Sequence, residues 1–546
     1  MGSRGELTRR QVLGGAALGG AGALLAPTAA RARARSSPII SRWVGELSDR
    51  PTTLDMGDEF VLAGVQWSTP ADARIELRTP VAGGRMGPWA VVSGRGHDPD
   101  HATGAQLTGE PAWTGSATRL QLRSIGRVRG VTVHAVRAPA AAPGVSALAR
   151  AAAQLVTPSL PAGPGQPPIL ARSSWAPPSA RPAAGPFYGA VSLAFVHHTD
   201  NPNGYGPDEV PALILAIYQF HRYVRGWFDI GYNFVIDLFG RIWEAREGGV
   251  DEPVEGAQAG GYNAVSTGVA VLGTFASVLP SPPALRALQR LLAWKLSLHG
   301  IPTRGHVQVR VDPAGASFTP FAPGQLVSLP RIAGHRDGCT TDCPGDALYQ
   351  RLPEVRAAAH GLAGVPAQLT LQSASLRLVA GAAVTVGGRL ARLGGPPLAG
   401  ATVQVQSVPD RRALATLITD ADGRFSSLLT PTRSTLLRAL HADAPAAVSD
   451  VLELDLVPVI TLTLTSISPP RVSGTVRPFK RRVTIDLYRL TATGRRLVSS
   501  TRVDVVQGAF SARVRPLRLP PGRYEAVARL PADDVTVAGA SAPVRV

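Results

Sequence analysis

Cysteine is nearly absent, with only two among the 546 residues. A disulfide scaffold is therefore excluded, and any intramolecular bridge must join that single pair. Long apolar runs are also missing. No stretch beyond the N-terminal segment reaches the roughly 20 uninterrupted apolar residues that cross a bilayer as a helix, so no stable transmembrane anchor is expected. Aromatics make up 5% of the chain, whereas Gly (58) and Pro (48) are plentiful, which punctuates the sequence with turns. At roughly 100 to 200 residues per domain, such a chain divides into three or four cores. Acidic residues are in deficit, 38 against 56 basic ones, for a formal charge of +18. Spread along the chain, that excess favours a polyanionic setting: nucleic acid, anionic lipid or an acidic cell-wall polymer.

The N-terminus narrows the choice. "ELTRRQVLGGAALGGAGALLAPTAARARA" joins Arg9 and Arg10 to a weakly apolar Ala/Gly stretch and then to small-residue sites such as Ala30-Arg31-Ala32. This is the pattern of a twin-arginine export signal over residues 1–35, and it predicts an exported, extracellular or wall-associated product. Export argues against nucleic acid as the partner and for anionic cell-wall polymers.

Texture then divides the chain. Residues 38–137 run in short alternating segments ("EFVLAGVQW", "ARIELRT", "GVTVHAV") between Gly, Pro and Asp clusters, which predicts a β-sandwich. Residues 138–168 are rich in Ala, Pro and Gly and predict a linker. From 169 to 362, apolar strands such as "VSLAFVHHT" and "TGVAVLGTF" alternate with helical periodicities. "PALILAIYQFHRYVR" stops at Gly226, and "SPPALRALQRLLAWKLSLHG" has Ser281 as N-cap, proline in the first turn and Gly300 as its stop. "YNFVIDLFGRIWEA" predicts a hairpin, and the segment as a whole is a mixed α/β domain. Beyond Val365 the alternating pattern returns twice: "AAVTVGGRL", "ATVQVQS" and "ADGRFSSLL" are echoed by "RVSGTVRP", "VTIDLYR" and "GAFSARV". The echo predicts tandem immunoglobulin-like sandwiches at 366–456 and 457–546, read as spacers or wall-binding modules. The expected architecture is thus multidomain, a central α/β domain of mixed sheet and flanking helices between all-β sandwiches, one N-terminal and two C-terminal.

Both cysteines fall in "RIAGHRDGCTTDCPGDALY", residues 331–349. A disulfide between Cys339 and Cys343 would close a small ring and stabilise little. Catalytic thiol pairs more often have Cys-x-x-Cys spacing. Neither reading accounts for His335, whereas zinc does, since imidazole and thiolate are its preferred ligands. A catalytic zinc needs one more protein ligand and an open position, and "AFVHHTD" offers a histidine at a strand end. On an extended strand His197 and His198 face opposite sides, so one of them can point into a shared site.

Residues 169–362 resemble the type 2 N-acetylmuramoyl-L-alanine amidases and the related peptidoglycan recognition proteins, through "SSWAP", "FVHHTD", "HRYVRGWFDIGYNFVID", "GVAVLGTF" and "GHRDGCTTDCPGDALY" in that order. The resemblance implies a zinc amidase domain whose metal ligands are His197, His335 and Cys343. It implies that Tyr232 is the catalytic tyrosine and that Thr341 faces the substrate carbonyl. The substrate it implies is peptidoglycan, cut between the lactyl group of N-acetylmuramic acid and L-alanine of the stem. Cys339 departs from the family pattern, and its bonding to Cys343 would remove a ligand. His221, Trp227 and Trp243 are expected to pack, and Asp337 and Asp342 either to orient a ligand imidazole or to cap turns. Two rivals stand beside the enzyme: a protein that binds muropeptides in the same groove without cutting them, and a wall protein whose zinc staples a loop with Cys339 as fourth ligand. Members that only bind commonly lack the ligand cysteine, which this chain has.

Overall fold

Leu193–His198 is apolar on both faces, as suits an interior strand of a parallel sheet, and it occupies such a place. The computed structural model describes residues 37–70, 73–81, 84–92, 107–138, 165–408, 410–467, 470–513 and 522–545. The expected export signal and most of the expected linker lie outside these. Among the described residues no helix is long and apolar enough to cross a membrane.

The central domain is built on β1 (Ile169–Leu170), β2 (Leu193–His198), β3 (Phe234–Ile236), β4 (Ile242–Glu244), β5 (Ser266–Val271), the separate hairpin β6 (His306–Arg310) and β7 (Leu326–Pro330), and β8 (Ile332–Gly334). Its helices are α1 (Val210–Tyr223), α2 (Pro282–Leu298), the single turn α3 (His335–Gly338) and α4 (Asp346–Ala363). The sheet runs β8-β2-β5-β3-β4-β1. Strands β8, β2, β5 and β3 are mutually parallel, while β3 and β4 form the expected antiparallel hairpin. Side chains alternate across it: Ala194, Val196, Phe234, Ile236, Val269 and Val271 meet α2 and α4 on one face. On the other, Val235, Ala270 and Trp243 meet α1. Helix α2 starts as its sequence predicts, with the Ser281 hydroxyl accepting from the Ala284 amide at 3.2 Å.

The N-terminal segment is all-β, but hydrogen bonding joins its seven strands into one sheet where two packed sheets were expected. The cause is the 16-residue strand Thr52–Trp67, which pairs with Ala112–Ile125 between Thr52 and Ala63 and with Val128–Arg137 between Phe60 and Gln66, with a register shift near Phe60. The two C-terminal modules each consist of two sheets, and their topologies correspond. Thr402–Val408 pairs with Ala413–Ile418 and Thr435–His441; Arg482–Thr491 pairs in the same way with Gly494–Asp504 and Tyr524–Leu530. Even a side-chain detail repeats: the Ala439 amide donates to Ser449 Oγ at 2.9 Å, and the Ala528 amide to Ser541 Oγ at 3.0 Å.

Residues Ile39–Val546 form one compact unit, and the flanking domains are docked on the central one rather than spaced from it. Val61, Leu62 and Val136 of the N-terminal sheet share a core with α1. Val448 of the first C-terminal module enters the core that α2 and α4 cover. An ion cluster seals the second junction: Arg438 reaches Glu252 at 2.6 Å and Asp251 at 3.0 Å, and Arg411 also pairs with Asp251. The spacer reading of that module is corrected accordingly.

Candidate metal centre

The register of the sheet assembles the site. Gly334 of β8 lies beside Val196 of β2, so the next residues along these parallel strands, His335 and His197, emerge side by side at their carboxyl ends. Their rings are 4.4 Å apart, centroid to centroid, and both are buried. Alternation turns His198 to the other face, where its Nδ1 accepts from the Phe275 amide at 3.3 Å.

The quoted loop folds back over the pair. The Arg336 amide donates to the Cys343 carbonyl at 3.0 Å, and the Thr341 hydroxyl accepts from the Cys343 amide at 3.2 Å. Gly345 has φ +84°, and a Cβ there would stand 2.4 Å from the Phe275 carbonyl carbon, so only glycine permits the turn. Cys343 Sγ thereby comes to 3.6 Å from His197 Nδ1. Ligand atoms of His197, His335 and Cys343 all lie within 4.8 Å of one another. Nitrogen and sulfur bound to one zinc at about 2.0 and 2.3 Å, with a tetrahedral angle between them, stand about 3.5 Å apart, close to the separation seen, so the donors present fit that ion.

Tyr232 is buried with its ring centroid 5.4 Å from that of His197. Burial holds its phenol well above the usual tyrosine range, and the nearby charges of Glu110 and Cys343 add to this. Burial likewise pushes the Cys343 thiol up. A cation at Sγ is the kind of charge that reverses such a shift.

The family model for N-acetylmuramoyl-L-alanine amidase matches residues 187–346. The central domain belongs to the N-acetylmuramoyl-L-alanine amidase and peptidoglycan recognition protein family. An N-acetylmuramoyl-L-alanine amidase of Sus scrofa is 31% identical over 190 residues, 34% of this chain and 27% of the relative. Peptidoglycan-recognition protein LB of Drosophila melanogaster is 28% identical over 185 residues, 34% of this chain and 67% of the relative. A solved structure of peptidoglycan recognition protein LE in complex with tracheal cytotoxin is 28% identical and covers 34% of this chain and 92% of that one, with a TM-score of 0.27. The match to the mammalian relatives thus spans about a quarter of their length.

Within the amidase domain, Cys339 stands outside the cluster. Its thiol is not bonded to Cys343; it lies in a core with Leu193, Phe195 and Tyr262, its Sγ 3.6 Å from the Gly260 carbonyl. His221 is a packing residue, stacked 4.4 Å from Trp227 and accepting from the Gly231 amide. Trp243 is buried, its indole donating to Asp237. The Asp337 carboxylate holds the Gly334 amide and the Tyr349 hydroxyl, which is the turn-capping alternative for that residue; Asp342 closes a turn to the Gly345 amide through its backbone carbonyl.

Two contributors escaped sequence reasoning. Gln258 Oε1 sits 2.5 Å from His197 Nε2. Glu110, from the N-terminal domain, pairs at 2.8 Å with Arg225, just beyond α1; Arg225 lies over Trp227, and so joins the wall behind Tyr232. A glutamine in "EGAQAGG" and a glutamate in another domain carry no local signal of such a place.

Proposed function

We propose that this chain is an exported, zinc-dependent N-acetylmuramoyl-L-alanine amidase acting on bacterial peptidoglycan. The observation that carries the reading is the buried His197, His335 and Cys343 cluster beside Tyr232, in a domain of that family. Zinc bound there by two neutral imidazoles and one thiolate would retain a charge of about +1, enough to polarise an amide carbonyl and acidify water.

The chain's own groups supply the remainder. A phenol kept protonated by burial is a hydrogen-bond donor, and Tyr232 is suited to the oxygen on which negative charge develops. Thr341 accepts the Cys343 amide with an oxygen lone pair, which fixes the loop and leaves its hydroxyl proton for the substrate carbonyl. Water adds to the lactyl carbonyl carbon, the C–N bond breaks and the departing amine takes a proton. The products are a carboxylate on the sugar and a stem peptide beginning with L-alanine. The formal charge of +18 supports retention near anionic wall polymers, with the flanking β domains adding surface.

The test is incubation of the full chain with purified peptidoglycan, with and without a chelator, followed by mass analysis. Stem peptides with an L-alanine amino terminus, absent after chelation, are the expected products. Release only of peptides still joined to sugar would overturn the reading.

A further inference from the structure

A metal can take His197 Nδ1 only when the imidazole proton sits on Nε2. The structure contains a device that decides this. Gln258 is fully buried, and its backbone is pinned because the amides of Gln258 and Ala259 both donate to Asn263 Oδ1, at 2.8 and 3.0 Å. Its side chain lies flat against Gly268 of β5, where an added Cβ would come within 2.5 Å of Gln258 Cγ. One end of the amide meets His197 Nε2 at 2.5 Å; the other, Nε2 of Gln258, donates to Ser266 Oγ at 2.8 Å. The Ser266 hydroxyl in turn donates to the Tyr262 carbonyl at 2.8 Å.

The proton count along this chain closes in one way while every link is kept. A hydroxyl has one hydrogen, and that of Ser266 is committed to a carbonyl, which can only accept. Ser266 must therefore accept from Gln258, so the amide turns its NH2 to Ser266 and its oxygen to His197. Facing an oxygen that only accepts, a neutral His197 must carry its proton on Nε2 and turn the Nδ1 lone pair toward Cys343. Reversing the amide would forfeit the Ser266 link to Tyr262 and move the imidazole proton to Nδ1, where a metal would have to displace it.

We infer that Gln258 is a positioning residue that sets the metal-ready tautomer of His197, and that Ser266, anchored on the Tyr262 carbonyl, sets the direction of the Gln258 amide. Neither contacts the ion; both act through the imidazole. The inference rests on the metal reading of the site.

It is tested by zinc competition against a chromophoric chelator, with melting of the metal-free proteins alongside, on the full chain. Gln258→Met should weaken zinc binding by about 10- to 100-fold, as loss of an outer partner commonly does, with metal-free melting close to the parent's. Gln258→Glu, which still accepts from Nε2–H, should restore binding toward the parent value. Ser266→Ala, which touches neither His197 nor the metal, should weaken binding several-fold, and it carries the test if Gln258→Met does not fold. Parental affinity in Gln258→Met or in Ser266→Ala would overturn the inference and leave the amidase reading standing. So would losses that merely track metal-free melting with no rescue by glutamate. A parent protein that binds no zinc would sink both.

Discussion

Arg438 belongs to the first C-terminal module, yet its side chain is 2% exposed and its guanidinium pairs with Glu252 of the amidase domain, itself 1% exposed, at 2.6 Å and with Asp251 at 3.0 Å. Replacing it by methionine preserves much of the volume but strands two carboxylates. Removing one partner of a buried pair costs about 3–5 kcal/mol. Arg411 still reaches Asp251, and Lys295 donates to the Glu252 carbonyl at 2.7 Å, so the low end, about 3 kcal/mol, is expected. In one cooperative unit spanning Ile39–Val546, at about 2.1 cal/mol/K per residue, that lowers the melting midpoint by only about 3 °C. The penalty should also depend on pH. Burial raises the Glu252 carboxyl, with Arg438 the largest opposing influence; for Asp251, Arg438 and Arg411 outweigh burial and lower it. Loss of Arg438 raises both folded-state values. The folded variant then holds these protons to higher pH than the folded parent does, so its stability falls relative to the parent's as pH climbs through the carboxyl range. Denaturation of parent and variant, followed from acidic to mildly alkaline pH, should show a gap that is small in acid and widest near neutrality, and Glu252→Gln should recover part of it in the double variant. A variant within about 1 kcal/mol of the parent at neutral pH would refute the buried-pair argument.

Three further outcomes follow from the same geometry. Tyr232→Phe should cut turnover by about 10²–10³ while zinc content and melting stay unchanged, measured on a soluble muropeptide. Gly64→Ala places a Cβ 2.5 Å from the buried Phe220 ring across the N-terminal domain junction, and should destabilise the protein by about 1–3 kcal/mol in denaturant melts. Adsorption to purified cell walls should weaken steeply with added salt, because the positive charge is spread over exposed side chains; binding unchanged to high ionic strength would remove charge from the account.

Much of the central fold was legible because its signals are local. Continuous apolar strands, the Ser281 cap and the turn at Leu238-Phe239-Gly240 each act within a few residues, and the tandem repeat showed as an echo of strand patterns. The His197, His335 and Cys343 cluster was legible in part from residue type, since histidine and cysteine together in one loop and at one strand end have few alternative uses, while the choice of His197 over His198 came from the family resemblance. What escaped depends on partners distant in sequence. Alternation in residues 38–137 fixes faces but not pairing, so it could not distinguish one sheet from two. Helix α1 is apolar around most of its surface, because it is covered by the amidase sheet on one side and by the N-terminal domain on another, and the sequence alone does not say what covers it. Asp251, Glu252, Lys295 and Arg438 are of residue types that usually stay at the surface, yet Arg438 meets Asp251 and Glu252 at the docked junction and Lys295 donates to the Val250 and Glu252 carbonyls inside its own domain. Lys295, taken down to about 7 by burial, is the plainest case.

The central claim is that His197, His335 and Cys343 share one ion that the hydrolysis requires. Metal content and peptide release, measured on the same preparations of parent and Cys343→Ser, test it most directly. The account predicts one zinc per chain and L-alanine-terminated stems from the parent, and neither from the variant once its folding is verified. A folded Cys343→Ser protein that releases those stems at the parental rate would contradict it.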